Sequence, residues 1–299
     1  MKEIHFTYFP SLSRYSIKVI RQTFDELLRS ASVNITTSVL QISCSPDLHP
    51  GGVVEISTVY YRSGYMPDDY PTHTHYTTRF LLERSKAIKC PSIALQLAGG
   101  KKVQEVLTQP GVLERFLADT KHGDHVFGEH EIKELRASFM GMWGLDISED
   151  MLTPDHIATR SGQEGFGVRK ARECAMSLVL KPQREGGGNN VYKEAIPGFL
   201  DGLAPQERQA WIAMELIKPP DGTGNYLIRA RVAESDSQAP IKVDVVSELG
   251  VFGWALFGGP LKTVEEKQVG WLVRTKGKEN NEGGVATGFS VLDSLLLVD

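Results

Sequence analysis

The run of three glycines at residues 186–188 constrains the chain more than any other feature of its sequence. It is preceded by the apolar, strand-like segment 177–180 and by three charged residues, Lys181, Arg184 and Glu185. Glycine has no Cβ atom, so its backbone can approach a ligand closely and turn N–H groups toward phosphate oxygens. Nearby cations add fixed positive charge, and a carboxylate is a suitable oxygen ligand for Mg²⁺. The segment is therefore either a loop that binds a nucleoside triphosphate or a flexible surface linker.

Composition and charge favour a globular protein of one large or two ordinary domains. The chain has 299 residues, and 33 basic against 37 acidic residues give a formal net charge of −4. This balance gives no overall basic field for nucleic acid, although a local cationic pocket for phosphate is compatible with it. The three cysteines, Cys44, Cys90 and Cys174, are widely spaced, which favours a reducing compartment over a disulfide framework. Since the sequence has no apolar run of membrane-spanning length, we expect a cytoplasmic protein with no membrane or nucleic-acid partner.

The pattern of apolar residues predicts a mixed α/β fold. Residues 53–61 are rich in β-branched and aromatic side chains and predict one strand. That strand leads into a turn at residues 62–65, the kind of position at which an open α/β sheet holds its ligands. Residues 77–89 predict a helix. His73 and His75 lie in a segment rich in Pro and Asp, which predicts a loop and not a metal site.

The second half of the chain changes from helical to strand-like patterns. Residues 101–110, 131–143 and 191–203 predict helices. Strands are then predicted at residues 211–217, 226–233, 241–246, 252–257 and 269–275. A second glycine-rich stretch, at residues 283–288, follows the last of these strands.

Seven sequence blocks occur in the order, and at roughly the spacing, that one protein family has. They are TVYYRSGYMP (58–67), LLERSKAIKCPSIALQLAGGKKVQ (81–104), LVLKPQREGGGNNVY (178–192), MELI (214–217), SELGVFG (247–253), LVRTK (272–276) and EGGVATG (282–288). Together they resemble eukaryotic-type glutathione synthetase from about residue 17 to the end of the chain. One glycine run is weak evidence, whereas an ordered set of blocks is specific to a family.

The resemblance implies an ATP-grasp fold with a separate substrate-binding domain. Residues 1–98 would form that substrate-binding domain, a small parallel sheet with helices. Residues 99–299 would form the ATP-grasp domain, with a glycine-rich lid at about 175–235. The implied reaction joins γ-glutamylcysteine to glycine with ATP through an acyl phosphate, with Mg²⁺ as cofactor. Because this chemistry needs no covalent enzyme intermediate, positioning and charge stabilisation should dominate it. The family is typically homodimeric, so a second copy is an implied partner.

The resemblance also implies roles for individual residues. Lys101 and Lys181 match ATP-contacting lysines, Glu185 matches the family's Mg²⁺-binding glutamate, and residues 214–217 match the segment beside the adenine. Arg274 matches a substrate-binding arginine, and a guanidinium is suited to bidentate binding of a carboxylate. The implied ATP-binding residues are Lys101, Lys181, Pro182, Gln183, Arg184, Glu185, Gly186, Gly187, Gly188, Asn189, Asn190, Tyr192, Met214, Glu215, Leu216, Ile217, Glu248, Lys276 and Glu282. The implied substrate-binding residues are Arg62, Ser63, Gly64, Tyr65, Arg274, Val285 and Ala286.

Several of these residues also have an ordinary structural explanation. Glu248 and Arg274 fit an ion pair between neighbouring strands. Lys101 and Lys102 fit a solvated helix start, and Tyr65 fits a core position. The ordered blocks, and not the single residues, favour the functional interpretation.

The chain also departs from the family that it resembles. Family members are considerably longer, and the E-x-N element that supplies their two further Mg²⁺ ligands is not found ahead of residue 17. Glu185 alone is a poor Mg²⁺ site. The chain is therefore either an ATP-dependent glutathione synthase or a catalytically weak remnant that binds nucleotide or pairs with another subunit. A relative that uses β-alanine is a further alternative within the enzymes, but the small Ala286 and Thr287 favour glycine.

Overall fold

The structure is a computed structural model that describes most of the chain. The described residues are 3–4, 17–46, 50–118, 126–146, 164–183, 189–219, 224–227, 241–258, 263–281, 283–285 and 288–294. They form a mixed α/β fold with five sheets, which confirms the predicted fold class. Several predicted site residues lie outside the described ranges, and these are Arg184, Glu185, Gly186, Gly187, Gly188, Glu282 and Ala286.

Short strands and helices alternate in the first hundred residues. They are β1 (Glu3–Ile4), β2 (Gln22–Thr23), α1 (Phe24–Ser30), β3 (Ala31–Val33), β4 (Leu40–Ser43), β5 (Val53–Ile56), β6 (Thr58–Tyr60), a 3-10 helix (Pro67–Asp69), α2 (His73–Arg84), β7 (Ile88–Cys90) and α3 (Ile93–Ala98). Strands β3, β4 and β5 form an antiparallel sheet, whereas β6 and β7 pair in parallel. The parallel arrangement predicted for this part is thus limited to one pair of strands.

Helices come first in the remainder of the chain, and strands dominate its end. The elements are α4 (Lys101–Thr108), α5 (Val112–Leu117), α6 (Glu129–Ala137), β8 (Met142–Gly144), α7 (Phe166–Glu173), a 3-10 helix (Ala175–Ser177), β9 (Leu178–Pro182), β10 (Val191–Tyr192), α8 (Ala195–Gly202), a 3-10 helix (Pro205–Ala210), β11 (Trp211–Glu215), β12 (Gly224–Leu227), β13 (Ile241–Gly258), β14 (Thr263–Gly277) and β15 (Val291–Asp293). The two sheets have the strand orders β10-β9-β11-β8 and β12-β13-β14-β15, and every pairing in them is antiparallel.

A first hydrophobic core lies beneath α1 and α2. Thr23 caps α1 through a capping box, because its hydroxyl accepts from the Glu26 N–H and the Glu26 carboxylate accepts from the Thr23 N–H. The helix therefore starts at a fixed point and directs its apolar face inward. The buried residues of this core are Phe24, Leu27, Leu40, Ile42, Val59, Tyr61, Leu82 and Ala87.

The single strand predicted at residues 53–61 is two strands in two different sheets. β5 pairs antiparallel with β4, and β6 pairs parallel with β7. The change of partner occurs at Ser57, whose carbonyl accepts a 2.8 Å hydrogen bond from the Ile88 N–H. A continuous β-branched run cannot reveal such a change, because side-chain propensity is the same in both sheets.

The helix predicted at residues 77–89 starts and ends earlier than expected. It is α2, and it ends at Arg84, followed by Ser85, whose N–H and hydroxyl both donate to the Leu82 carbonyl. The predicted loop at the paired histidines is wrong, since His73 begins this helix. His75 is buried there between the Thr72 hydroxyl at 2.7 Å and the Asp25 carboxylate at 3.2 Å.

A second core lies between the β10-β9-β11-β8 sheet and helices α7 and α8. Its buried residues include Trp143, Leu145, Val168, Leu178, Leu180, Ile196, Leu200 and Ala213. Gly167 allows the close contact, because a Cβ atom there would overlap the Gly144 carbonyl oxygen. The Trp143 indole N–H donates to the Gly167 carbonyl at 3.1 Å. These contacts explain why the helix predicted at 131–143 ends at Ala137 and residues 142–144 join the sheet as β8.

A long antiparallel hairpin, β13–β14, follows the second core. The two strands predicted at 241–246 and 252–257 are one strand of 18 residues, because β12 pairs with residues 241–244 and β14 with residues 245–258. The register of the β13–β14 pairing shifts between Phe252 and Gly253. The helix predicted at 191–203 divides into β10 and α8. Among the described residues, we find no helix that is both long and apolar enough to cross a membrane.

Candidate functional site

One cleft of about 1330 Å³ lies where the two parts of the chain meet. Its walls come from the turn after β6, the exposed face of α2, helix α3, the start of α4 and the end of β9. The sequence-predicted residues on its wall are Arg62, Ser63, Gly64, Tyr65, Lys101, Pro182 and Gln183. Residues about 120 positions apart in sequence are thus brought to one cavity.

The turn at residues 62–65 has a backbone conformation that glycine supplies. Gly64 has φ of +89°, and a Cβ atom there would lie 2.7 Å from the Tyr70 hydroxyl and 3.2 Å from the Phe24 ring. The Tyr65 hydroxyl donates to the Tyr61 carbonyl at 2.5 Å, although about half of the Tyr65 surface stays exposed. Tyr65 is therefore a half-exposed cleft residue and not the core position that the alternative explanation required.

A single carboxylate holds the backbone of this turn. Asp69 Oδ2 accepts from the consecutive N–H groups of Gly64 at 2.8 Å, Tyr65 at 3.0 Å and Met66 at 3.2 Å. Three N–H donors on one carboxylate oxygen fix the turn without help from a ligand. The Gly64 carbonyl accepts on its other side from the Tyr70 hydroxyl at 3.0 Å and the Gln96 amide at 2.6 Å.

Lys101, on the opposite side of the cleft, lies near a second lysine, Lys181. Lys101 is the first residue of α4, and Lys181 lies near the end of β9. Burial and, after it, the charge of Lys181 lower the pKa of Lys101. The first turn of α4 contains no acidic residue, so Lys101 also lies at the positive end of a helix dipole. This concentration of positive charge would favour a bound anion.

A hydrogen bond between backbone and side chain joins the end of β9 to the start of α4. The Lys102 N–H donates to Gln183 Oε1 at 2.7 Å, and Lys102 Nζ lies 3.0 Å from both the Glu105 and the Asp146 carboxylates. Burial lowers the pKa of Lys102, but these two carboxylates outweigh it and the pKa is raised. Lys102 is thus neutralised within the chain, unlike its neighbour Lys101. The predicted solvated helix start holds for neither lysine, because both are partly buried.

At two of the sequence-predicted residues on the cleft wall, a buried polar group has no hydrogen-bond partner among the described residues. The hydroxyl of Ser63 and the Nε2 group of Gln183 have no hydrogen-bond partner among the described residues. Leaving a buried donor unpaired costs about 1–3 kcal/mol. A ligand in the cleft that supplied acceptors at these two points would recover that cost.

A second group of predicted nucleotide-binding residues lies around the Asn281 carbonyl. That oxygen accepts from the Tyr192 hydroxyl at 3.3 Å and from Lys276 Nζ at 3.1 Å. Asn190 Nδ2 donates to the Tyr192 hydroxyl at 3.2 Å. Strands β10 and β14 therefore bring three predicted residues together. In the sequence, these lie near positions 184–188 and 282, which are outside the described ranges.

The segment predicted to line an adenine pocket is the end of β11. The Glu215 N–H donates to the Gly141 carbonyl and the Leu216 N–H donates to the Ser177 carbonyl, each at 2.9 Å. Met214 pairs with Met142 and Val179 on the neighbouring strands. Ile217 is 77% exposed. Because the two N–H groups are already used, an adenine would have to meet carbonyl groups or the apolar Ile217 here.

Glu248 and Arg274 form the ion pair that the structural alternative anticipated. They are directly opposed on β13 and β14, and the guanidinium contacts the carboxylate. Both side chains are partly exposed. Val285, in the second glycine-rich stretch, is 38% exposed, and its carbonyl accepts from the Gly288 N–H at 3.1 Å.

Sequence reasoning missed the residues that hold the turn at 62–65 in place. Asp69, Tyr70, Arg79 and Gln96 all line the cleft and were not predicted as site residues. The one signal in the sequence is the spacing of Asp69, five residues after a glycine, because Asp side chains commonly accept from backbone N–H groups in turns. Arg79 and Gln96 enter through helix packing, which has no local signature.

The described residues do not form a magnesium site by themselves. Within them, no group of three or more His, Cys, Asp and Glu side chains is arranged to hold a metal ion. Mg²⁺ commonly takes one or two carboxylates together with phosphates and water. The predicted ligand, Glu185, lies outside the described ranges.

In this mixed α/β fold, one cleft joins a rigid turn to Lys101, which lies near Lys181. Residues 8–297 match the family described as eukaryotic glutathione synthase, ATP binding domain, and the chain belongs to this family. The resemblance inferred from the sequence blocks is therefore confirmed.

Curated relatives agree with this assignment. The chain is 37% identical over 288 residues to the chloroplastic glutathione synthetase of Arabidopsis thaliana, covering 95% of this chain and 45% of that protein. It is 39% identical over 282 residues to human glutathione synthetase, covering 93% and 51%. It is 40% identical over 246 residues to the glutathione synthetase large chain of Schizosaccharomyces pombe, covering 81% and 43%. The chain spans about half the length of the curated relatives that it matches.

A solved structure supports the fold. The apo form of a glutathione synthetase-like effector from Globodera pallida superposes with a TM-score of 0.54 over 92% of this chain and 47% of that one. The two are 21% identical in sequence, so this likeness bears on the fold alone.

Proposed function

We propose that the chain carries the ATP-binding part of a glutathione synthase, an ATP-dependent ligase that joins γ-glutamylcysteine to glycine. The observation that carries the proposal is the single cleft that contains both the turn at 62–65 and the start of α4 with Lys101. A ligase of this kind must hold an acid and a nucleoside triphosphate next to each other. Membership of the family supports the same reaction.

The reaction proceeds in two displacements. A carboxylate oxygen of the dipeptide attacks the γ-phosphorus of ATP, so that ADP leaves and an acyl phosphate forms. The glycine amine then attacks the acyl carbon, loses a proton and expels phosphate as the amide bond forms. Neither step requires a covalent bond to the protein. The protein contributes by aligning the reactants and by stabilising the charge that develops during the reaction. A rigid cleft with cationic groups can do both.

The lysine side of the cleft is the proposed phosphate side. Lys101 and Lys181 repel each other, and a polyphosphate between them would replace this repulsion by two attractive contacts. The buried Gln183 Nε2 offers a further donor at the same wall. Beyond it, the proposed ATP contacts extend through residues 184–188 to the Asn190, Tyr192 and Lys276 group, and to residues 214–217 for the adenine.

The turn at residues 62–65 is the proposed dipeptide side. Arg62 is exposed on the cleft wall, and its guanidinium can bind a carboxylate bidentately. The Ser63 hydroxyl is buried without a partner among the described residues and would accept or donate one hydrogen bond to the substrate. Arg274, Val285 and Ala286 remain proposed substrate contacts, and Arg274 would have to leave Glu248 to serve as one.

Two features of the fold support the proposed division into domains. One core is built from residues 24–87 and the other from residues 143–213. A boundary near residue 98, just before α4 begins at Lys101, separates a substrate-binding domain from an ATP-grasp domain. The cleft lies between these two cores.

We further propose that ATP binds together with Mg²⁺, for which Glu185 is the ligand that the sequence offers. Glu185→Gln should then raise the Mg²⁺ concentration needed for half-maximal ATP binding, and an unaltered Mg²⁺ titration would remove Glu185 from this role. Free thiols at Cys44, Cys90 and Cys174 support a reducing compartment such as the cytoplasm. A homodimer is proposed on the family's behaviour, and sedimentation of the purified chain tests it.

An assay of ADP release in which single substrates are omitted tests the proposed function. ADP release should require ATP, γ-glutamylcysteine and glycine together, and the tripeptide should appear in equal amount. Measurable ATP binding without any turnover would favour the catalytically weak remnant instead. Replacing glycine by β-alanine tests the acceptor, and a preference for β-alanine would overturn the assignment to glycine.

A further inference from the structure

A buried arginine, Arg79, lies behind the turn that we assign to the dipeptide. It is on α2, its exposed fraction is 4%, and it lines the cleft. An arginine keeps its charge at every accessible pH, so burying one requires partners that compensate for the lost hydration. The partners of Arg79 show what the charge does.

The first set of partners reaches the turn through Tyr70. Arg79 Nη1 donates to the Tyr70 hydroxyl at 3.3 Å, and that hydroxyl donates to the Gly64 carbonyl at 3.0 Å. A hydroxyl that accepts from a cation becomes a better donor, because hydrogen bonds in a chain polarise one another. The positive charge of Arg79 therefore strengthens the hydrogen bond from the Tyr70 hydroxyl to the carbonyl of Gly64, the glycine with positive φ.

A second route reaches the turn through Tyr61. The Arg79 guanidinium lies 3.7 Å from the centroid of the Tyr61 ring, a cation–π contact. The carbonyl of Tyr61 accepts the 2.5 Å hydrogen bond from the Tyr65 hydroxyl. The side chain of Tyr65 is thus anchored on the residue against which Arg79 packs.

The remaining contacts close a ring of interactions. Arg79 Nε donates to Glu83 Oε1 at 3.0 Å, Nη2 lies 2.9 Å from the same oxygen, and that oxygen also accepts from the Ile93 N–H at 3.2 Å. Ile93 begins α3, the helix whose Gln96 donates to the Gly64 carbonyl at 2.6 Å. The path from Arg79 through Glu83 and α3 therefore returns to the atom that Tyr70 holds.

We propose that Arg79 is a positioning residue that holds the turn at 62–65 in its substrate-binding conformation through Tyr70 and Tyr61. The proposal rests on the proposed function for the identity of the substrate, but the effect on the turn is independent of it. Because Arg79 acts on the dipeptide side of the cleft, it should affect dipeptide binding and leave ATP binding unchanged.

Amide hydrogen exchange on the full chain tests the positioning role directly. Arg79→Met should speed exchange at Gly64, Tyr65 and Met66 by on the order of tenfold, as expected when one supporting hydrogen-bond network is lost. Exchange at Thr36 and Thr37, whose N–H groups are held by Asn34 Oδ1 in another turn, should not change. Arg84→Met, an exposed arginine on the same helix, is the matched control and should leave all five amides as they are.

Arg79→Met leaves the carboxylate of Glu83 without its cation, which by itself destabilises the fold. A milder variant therefore keeps the test independent of global unfolding. Tyr70→Phe removes one hydroxyl and retains the ring. It should speed exchange at the same three amides by on the order of threefold. In the double variant the two effects should be less than additive, because part of the Arg79 effect acts through the Tyr70 hydroxyl.

Calorimetric titration with γ-glutamylcysteine and, separately, with ATP completes the test. Arg79→Met should weaken dipeptide binding by on the order of tenfold and change ATP affinity by less than about twofold. A weakened dipeptide affinity in Arg79→Met with Tyr70→Phe unchanged would overturn the proposal in favour of direct contact with the substrate. Exchange rates at residues 64–66 that match those of Arg84→Met would also overturn it. If the unaltered protein fails to bind the dipeptide, the proposed function is wrong, while the exchange result still decides the role of Arg79.

Discussion

The two sides of the cleft satisfy their polar groups in opposite ways. On the turn side, Asp69 occupies three consecutive backbone N–H groups, and Gly64 has both its N–H and its carbonyl bonded within the chain. On the lysine side, burial and, after it, the charge of Lys181 lower the pKa of Lys101, and Gln183 Nε2 has no partner among the described residues. One side is bonded within the chain, whereas the proposed function places an anion on the other. Under that proposal, the cleft recognises its acid by shape and its nucleotide by charge.

The largest effect should follow from removing a cation on the lysine side. Lys181→Ala should lower kcat/KM for ATP by about 10²–10³. The reason is that a fixed positive group beside the phosphoryl group stabilises the negative charge that develops there in the transition state. The fold should persist, since the side chain is only partly buried. Steady-state ADP release and a thermal unfolding curve measure the two parts. Lys133→Ala, an exposed lysine on α6, is the control, and equal kinetics for both variants would remove the phosphate role.

A substitution in the turn at 62–65 should instead lower the free energy of unfolding. Gly64→Ala places a Cβ atom at positive φ and 2.7 Å from the Tyr70 hydroxyl, and it should cost about 2–4 kcal/mol in the free energy of unfolding. Gly111 is the matched control, with φ of +78° and no atom within 4 Å of an added Cβ. Gly111→Ala should therefore cost only about 1 kcal/mol. Equal losses in urea unfolding would mean that the turn is not tightly packed.

Replacing Arg274 distinguishes between two roles for its guanidinium, a structural ion pair and a substrate contact. Because the pair with Glu248 is partly exposed, Arg274→Met should cost at most about 1 kcal/mol of stability. If the guanidinium also binds the dipeptide, affinity for γ-glutamylcysteine should fall by about tenfold. Calorimetric titration decides between the two roles. A dipeptide affinity equal to that of the unaltered protein would leave Arg274 as a strand-pairing residue.

The smallest expected effect is a change in stability and in ATP affinity at alkaline pH. Burial first, and Lys181 second, lower the pKa of Lys101 in the folded chain. Below that pKa the destabilising charge is fully present, so stability should rise as the pH increases through it toward the unfolded value of about 10.4. ATP affinity should fall over the same range, because the attractive ammonium is lost.

Urea midpoints and ATP titrations at several alkaline pH values check both trends. Lys101→Met should flatten each of them, whereas Lys133→Met should change neither. An ATP affinity that stays level while the unaltered protein passes through this range would contradict an ATP contact at Lys101.

Sequence patterns predicted the class of the fold and the strand that leads to the glycine run, but not where elements change partner. β9 and α4 appear where apolar periodicity placed them. The break at Ser57 and the joining of 241–246 to 252–257 were missed, because hydrogen bonding to β7 and β14 decides them. Such long-range pairing overrides local propensity.

The ordered sequence blocks singled out Lys101 and Gln183, and both line the cleft, whereas residues supplied by tertiary packing were missed. The roles of Lys101 and Gln183 in binding ATP stay a prediction. Arg79 reaches the turn only because α2 packs beside it, and its neighbour in sequence, Phe80, is 60% exposed. Nothing in the local pattern distinguishes these two positions.

Isotope transfer is the sharpest test of the proposed ligase reaction, because it follows an oxygen atom from the dipeptide carboxylate to the released phosphate. The full chain is supplied with ATP, glycine and γ-glutamylcysteine whose reacting carboxylate carries ¹⁸O, and the released phosphate is examined by mass spectrometry. An acyl phosphate formed in the cleft predicts one ¹⁸O atom in each phosphate. Phosphate without ¹⁸O, released together with ADP, would show hydrolysis by water and contradict the ligase.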